Sequence, residues 1–242
     1  EAKDTTPPTI NGSATTEPNE DGWYSSDVTI HFEANDAESG IDTVTEDTVL
    51  ADEGANQSAT GTAMDKAGNS KDFTVSEINI DKTAPATTVE LFGVKGKNDW
   101  FVGDVAIKLN AGDTLSGIKS TFFSLNGIAY QIGDSLTINS EGLHTVKYYS
   151  EDKAGNKEKA KEISFKIDKN VPTVEIISPQ NKTYQNNKTI EIKYNINDSI
   201  SPNNIKTEIF FDNQPKSDNK IDLSLEHLGI HTVSMTAEDE AG

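Results

Sequence analysis

Apolar residues along this chain alternate with polar ones and do not recur at helical spacing. In D-V-A-I-K-L-N-A (104–111), Val105, Ile107 and Leu109 alternate with Ala106, Lys108 and Asn110. Ile163, Phe165 and Ile167 do the same in E-I-S-F-K-I-D, and Ile190, Ile192, Tyr194 and Ile196 in T-I-E-I-K-Y-N-I. A period of two turns one face of a strand to a core and the other to water. No segment carries an i, i+3, i+4 apolar stripe with helix caps, so helix content is expected to be very low. Between residues 86 and 168 the pattern predicts seven strands, at 86–92, 103–111, 118–125, 128–131, 134–138, 143–151 and 160–168. Short strands parted by Gly, Asn and Asp turns point to an antiparallel β-sandwich.

The pattern is copied along the chain. D-x-x-x-P occurs at Asp4–Pro8, Asp81–Pro85 and Asp168–Pro172, and a proline after a short polar run marks a linker. W-Y-S-S-D-V-T-I from Trp23 matches W-F-V-G-D-V-A-I from Trp100, with Y-Q-N-N-K-T-I from Tyr184 as a weaker third version. N-D-A-E-S-G-I (35–41) likewise matches A-G-D-T-L-S-G-I (111–118), and I-N-D-S-I-S-P (196–202) diverges. E-G-L-H-T-V-K-Y-Y-S-E-D-K-A-G (141–155) matches L-G-I-H-T-V-S-M-T-A-E-D-E-A-G (228–242). These landmarks predict domains at 1–84, 85–171 and 172–242, each of a size that folds on its own. The third stops where the second continues into E-I-S-F-K-I-D, so it is expected to lack its last strand.

The run from Phe122 to Glu158, with S-L-N-G, E-G-L-H-T-V and D-K-A-G-N, resembles the bacterial and archaeal Ig-like tandem repeats of cell-surface and secreted proteins. The likeness is strongest over the second copy. It implies an all-β chain of three tandem immunoglobulin-like antiparallel sandwiches at an extracellular or cell-surface location. The activity it implies is a non-catalytic stalk, spacer or adhesion module of a larger surface protein. An accessory region of a secreted carbohydrate-active enzyme and a surface-layer lattice component are the alternatives. Expected partners are neighbouring domains of the same protein and a cell-surface protein or glycan.

Charge narrows the choice. The net charge is −19, with 40 acids against 21 bases that are all lysine, which disfavours nucleic acid as a partner. No apolar run approaches the roughly 20 residues of a transmembrane helix. With no cysteine there is neither a disulfide nor a thiol nucleophile. Nor is there a nucleophile-elbow, phosphate-loop or dinucleotide motif, so no catalytic residue is assigned and the chain is read as not an enzyme.

His144 and His231 share a repeat position at which the first copy has Gln57, and they are read as framing a strand. Trp23 and Trp100 are read as lids on their cores, although exposed rings of this kind can also stack on sugars. The sharper candidate is metal. In an Ig-like sandwich the first strand begins at the end that carries the second-to-third and sixth-to-seventh strand loops. Asp4 then approaches Asp36, Glu38 and Asp65; Asp81 approaches Asp113 and Asp152; Asp168 approaches Asp198 and Asp239. Carboxylates from separate segments are hard oxygen donors suited to Ca²⁺, which is the candidate cofactor. The simpler reading makes each Asp an Asx turn closed by a glycine. N-x-S/T sequons stand at Asn11, Asn56, Asn181, Asn187 and Asn197.

Overall fold

The computed structural model describes residues 3–200 and 204–242; Ser201 and Pro202 of the third I-N-D-S-I-S-P landmark lie outside them. Among the described residues every element is a strand except one 3-10 turn at Leu223–Leu225, and no helix is long and apolar enough to cross a membrane.

The first sandwich is built from β1 (Thr9–Ala14), β2 (Val28–Asn35), β3 (Ile41–Val44), β4 (Thr48–Leu50), β5 (Gly54–Asp65) and β6 (Ser70–Ile80). They form sheets ordered β1-β2-β4 and β3-β5-β6. The second follows with β7 (Ala86–Phe92), β8 (Trp100–Phe101), β9 (Val105–Gly112), β10 (Ile118–Leu125), β11 (Gln131–Ile132), β12 (Ser135–Ile138), β13 (Gly142–Asp152) and β14 (Lys161–Ile167). Its sheets run β12-β9-β7 and β11-β10-β13-β14-β8, antiparallel except where β8 joins β14 in parallel. The third contains β15 (Thr173–Ser178), β16 (Thr189–Glu191), β17 (Lys193–Asn197), β18 (Lys206–Phe211), β19 (Gln214–Lys216), β20 (Lys220–Asp222) and β21 (Val233–Glu238). Here β15 pairs with β17, β16 with β20, and β18 lies between β19 and β21.

Two expectations for the second copy change. The strand expected at 128–131 is only Gln131–Ile132. Asn126 and Gly127, at φ 50° and 79°, form a tight turn of the kind Asn-Gly favours. The Ser124 hydroxyl then takes the Ile128 carbonyl and bows the chain away from the ladder. The added strand is β8, and it places the rings differently from the expected tryptophan lid. Phe101, 1% exposed, is the inserted ring, meeting Phe165 edge to face at 6.0 Å. Trp100 lies buried beside it under the Lys166 ammonium, 4.7 Å from the ring centroid. In the first copy Tyr24 is buried and Trp23 only half-buried.

Each core fills the space between its two sheets. Val105, Ile107, Leu109, Val146, Phe165 and Ile167 surround Phe101 in the second sandwich. Ile10, Val28, Ile30, Ile78 and Ile80 surround Phe32 in the first. Phe32 fits because glycines flank it: a Cβ at Gly61 would stand 2.5 Å from its ring, and one at Gly12 2.7 Å. The third core is thinner. Ile190, Ile192 and Ile221 are buried, but Ile209, Phe211 and Val233 are only half-buried. No described strand there stands in the place of β6 or β14.

Candidate metal centres

Each acidic position sits in a turn that the local sequence builds. The linker aspartates leave the preceding sandwich tied to it: the Asp81 N–H donates to the Tyr24 carbonyl and the Asp168 N–H to the Phe101 carbonyl, both at 2.9 Å. Their side chains then cap the linker, with Asp4 accepting from the Thr6 N–H at 2.9 Å and Asp81 from the Thr83 N–H at 3.1 Å. In the turn after the second strand, Asp36 Oδ1 accepts from the Ser39 and Gly40 N–H groups, both at 2.8 Å. Asp113 Oδ2 accepts from the Gly117 N–H at 2.7 Å. Gly40 and Gly117 take φ near 78°, the left-handed region that glycine enters at little cost. In D-K-A-G-N, Asp65 and Asp152 each accept the N–H of the Asn four residues on, at 2.9 and 2.8 Å.

These turns bring nine of the ten candidate acids into three groups: Asp4, Asp36 and Asp65; Asp81, Asp113 and Asp152; Asp168, Asp198 and Asp239. Within each group, one carboxylate oxygen per residue lies within 4.8 Å of the others. Glu38 stays outside. Its Oε1 accepts from the Thr6 hydroxyl at 3.2 Å, and the position is Leu115 in the second copy.

Burial makes the convergence costly. Asp65, Asp81, Asp152 and Asp168 are at most 1% exposed, Asp198 and Asp239 under a tenth. Like charges at such a distance repel by about 3 kcal/mol per pair at an effective dielectric of ~20. Among the described residues, Asp4, Asp36, Asp65, Asp81, Asp113, Asp152 and Asp239 form no salt bridge with lysine or histidine. In the first group hydrogen bonds favour the charged form of two of the acids. The Thr6 N–H holds Asp4 below the usual carboxylate range. Burial pushes Asp65 up, but the Asn69 side chain and N–H, with the Ala67 N–H, bring it below that range. Turn hydrogen bonds also leave oxygen to spare. Asp239 Oδ1 serves the Ala241 and Gly242 N–H groups while its buried Oδ2 has no partner; Asp4 Oδ2 is likewise buried and without one.

The asparagine that closes D-K-A-G-N was not among the candidates and does more than close a turn. Asn156 Nδ2 donates to Asp152 Oδ2 and to the Asp81 carbonyl, both at 2.9 Å, so it ties the turn to the linker. Asn69 donates to Asp65 Oδ2 at 2.8 Å and, more weakly, to the Asp4 carbonyl at 3.4 Å. Its recurrence at a fixed distance from the aspartate was the available signal.

Neighbouring sandwiches meet at these ends. Asn19 Nδ2 donates to the Lys153 carbonyl at 2.7 Å, and Asn98 Nδ2 to the Glu240 carbonyl at 2.9 Å. Lys153 and Glu240 directly follow the group members Asp152 and Asp239. The histidines lie elsewhere. His144 is 3% exposed, with Nε2 against the Ser140 carbonyl and Nδ1 against Asn126 Nδ2, a strand-framing role.

No protein-family profile matches the chain, and no curated protein matches it. Among solved structures it is similar to the fibronectin(III)-like modules of Clostridium thermocellum CbhA, with 12% identity and a TM-score of 0.31 over 65% of this chain and 94% of that one. A 1.5-MDa bacterial ice-binding adhesin overlaps it at 12% identity and TM-score 0.40, covering 98% of both chains. Protocadherin gammaB7 overlaps at 13% identity and TM-score 0.33, over 83% of this chain and 52% of that one. The all-β, Ig-like assignment rests on the sheets themselves.

Proposed function

We propose that this chain is an extracellular, non-catalytic stalk or adhesion module in which each acidic end binds a Ca²⁺ ion that locks a sandwich onto the linker before it. The observation that carries the reading is Asp239. It is 6% exposed, gathered with two further aspartates, and keeps a buried oxygen without a partner. A buried polar oxygen of this kind is costly unless something satisfies it. Ca²⁺ takes six to eight oxygen ligands at about 2.3–2.6 Å, so three carboxylates, with backbone carbonyls and water, suit it. Bound there, the ion supplies positive charge where three segments meet, and it favours the folded junction because the unfolded chain has no such site.

Calorimetric titration with CaCl₂, together with thermal melts in EDTA and in millimolar Ca²⁺, tests this. Ligand at about 1,000 times its Kd stabilises by about 4 kcal/mol, so melts should rise clearly with Ca²⁺. Superimposable melts and no heat of binding would sink the proposal.

A second reading has its own observation. On the outer face of the second sandwich, Phe122 stacks on Tyr149 at 4.8 Å, Tyr130 meets Tyr149 edge to face at 5.1 Å, and Ile132 beside them is 73% exposed. Phe122 faces Ile132 across one strand pair and Tyr149 across the next. Such a patch fits direct adhesion to a cell-surface protein. Tyr149→Ser should abolish cell binding and leave the Ca²⁺ response intact; unchanged binding would exclude this face.

A further inference from the structure

We infer that Lys82 and Lys169 are positioning residues for the acidic groups: each plugs its linker into the sandwich before it, so that a cation held by Asp81 or Asp168 joins sandwich to sandwich. The plug is read from the linker contacts alone; what it positions rests on the cation reading above.

In both linkers the aspartate is followed directly by lysine, and at the first linker the two residues serve opposite sandwiches. Asp81 faces forward: its Oδ2 accepts from the Ser116 N–H and its carbonyl from Asn156 Nδ2, both at 2.9 Å. Lys82 faces back. Its ammonium donates to Asp27 Oδ1 at 2.8 Å and to the Ala51 carbonyl at 2.6 Å, while its N–H donates to Glu53 Oε1. The Thr83 hydroxyl donates to the same Oε1 at 2.9 Å.

Three strand ends of the first sandwich make this socket. Asp27 directly precedes β2, Ala51 directly follows β4 and Glu53 directly precedes β5. The second linker repeats the arrangement on the equivalent ends. Lys169 Nζ donates to Asp104 Oδ1, before β9, and to the Asn139 carbonyl, after β12, both at 2.5 Å. Its N–H donates to Glu141 Oε1, before β13, at 3.0 Å, and Asn170 Nδ2 donates to the same oxygen at 2.6 Å. The two lysine side chains are only 34% and 29% exposed.

An exposed ion pair alone adds little stability. Here the ammonium also holds a strand-end carbonyl and the socket glutamate holds the linker N–H, so the direction of the chain is fixed one residue after the aspartate. A ligand group held in place beforehand loses less freedom when it binds. The sign of the effect on a cation separates positioning from charge. An ammonium beside a cation repels it, so by charge alone removing Lys82 tightens binding at the Asp81 group. Loss of positioning weakens it.

The test uses the 242-residue chain, Lys82→Met, which keeps the aliphatic stem, and Glu53→Gln on the socket. Spin labels on Glu46→Cys and Glu90→Cys, both exposed, report the distance distribution across the first junction in EDTA and in millimolar Ca²⁺. Titration with CaCl₂ is followed by NMR at the Gly117 amide, which donates to Asp113, with the Gly40 amide, which donates to Asp36, as internal control. Both variants should widen the distribution in EDTA. Lys82→Met should also weaken Ca²⁺ binding at Gly117 by about ten-fold and leave Gly40 unchanged. Distributions identical to the unaltered chain overturn the plug. Unchanged or tighter binding at Gly117 overturns the positioning role. No response at either amide in the unaltered chain sinks the cation reading and the positioning role with it, while the EDTA distributions still decide the plug.

Discussion

Removing the Asn156 carboxamide asks whether the D-K-A-G-N turn is a joint or only a turn. Nδ2 donates to the carbonyl of Asp81 and to a carboxylate oxygen of Asp152, and both residues are 0% exposed. A hydrogen bond to a neutral carbonyl contributes about 1 kcal/mol and one to a charged group about 1.5–3 kcal/mol. Water has little access to either acceptor, so Asn156→Ala should cost roughly 2.5–4 kcal/mol in the second sandwich. At about 4–8 °C per kcal/mol for a domain of this size, its transition falls by roughly 10–30 °C. Differential scanning calorimetry of the whole chain reads this, and the first sandwich, which contains Asn69, serves as internal reference. Asn156→Asp sharpens the test. It keeps the shape but adds a fourth acid to the group, so it should be worse than alanine in EDTA and partly rescued by Ca²⁺. A loss under about 1 kcal/mol for Asn156→Ala would refute the reasoning, because the two acceptors would then be served without the side chain.

Three further outcomes follow from the packing and from the His231–Asp212 pair. Phe101→Ala removes the inserted ring of the second core and should cost about 3–5 kcal/mol by denaturant unfolding. Gly61→Ala drives a methyl into the Phe32 ring, 2.5 Å away, and should cost about 1–3 kcal/mol. Phe32→Leu should relieve part of that loss, which a double-mutant cycle would reveal as non-additivity. In the third copy Asp212 replaces Asn126 beneath the histidine and raises the His231 pKa, with the His227 carbonyl assisting. A raised histidine contributes stability that is complete below its unfolded value of about 6.5 and is lost as pH climbs through the folded value. Asp212, lowered first by His231, contributes stability above the ordinary carboxylate range that is lost in acid as pH falls through its folded value. The third transition should therefore weaken as pH rises above about 6.5, and Asp212→Asn should flatten that slope.

Period two along the chain marked the longer strands of the second sandwich, because one buried face forces the alternation that the eye can read, but it missed β8 and overdrew the strand at 128–131. It could not say which ring of Trp100-Phe101 enters the core. Both residues are aromatic, and β8 is placed by its parallel neighbour β14, some sixty residues later. The aspartate groups were legible through topology joined to repetition: a linker acid and two loop acids share one end of an Ig-like sandwich. Glu38 was carried along by proximity in sequence, and the repeat itself argued against it, since the second copy has Leu115 there. Asn69 and Asn156 were passed over because asparagine in a Gly turn already has a sufficient local explanation. Their second role, gripping the linker carbonyl, appears only in three dimensions.

The two junctions use the same hydrogen bond and opposite ion pairs, and that contrast makes a last prediction. At the first junction an acid of the upper sandwich, Asp21, pairs with Lys119 of the lower at 2.8 Å. At the second, a lysine of the upper sandwich, Lys97, pairs with Glu238 of the lower. Exposed pairs like these add little stability, but they set which surfaces can approach, since like charges brought together cost what opposite charges would have gained. Lys97→Glu should then repel Glu238 and open the second junction, which small-angle scattering would register as a wider spread of domain angles. Glu238→Lys added to it restores the pair with the polarity of the first junction and should return the narrow distribution. If the single charge reversal leaves scattering unchanged at low salt, the Asn98 hydrogen bond and the acidic group set the angle, and the ion pairs do not select the neighbour.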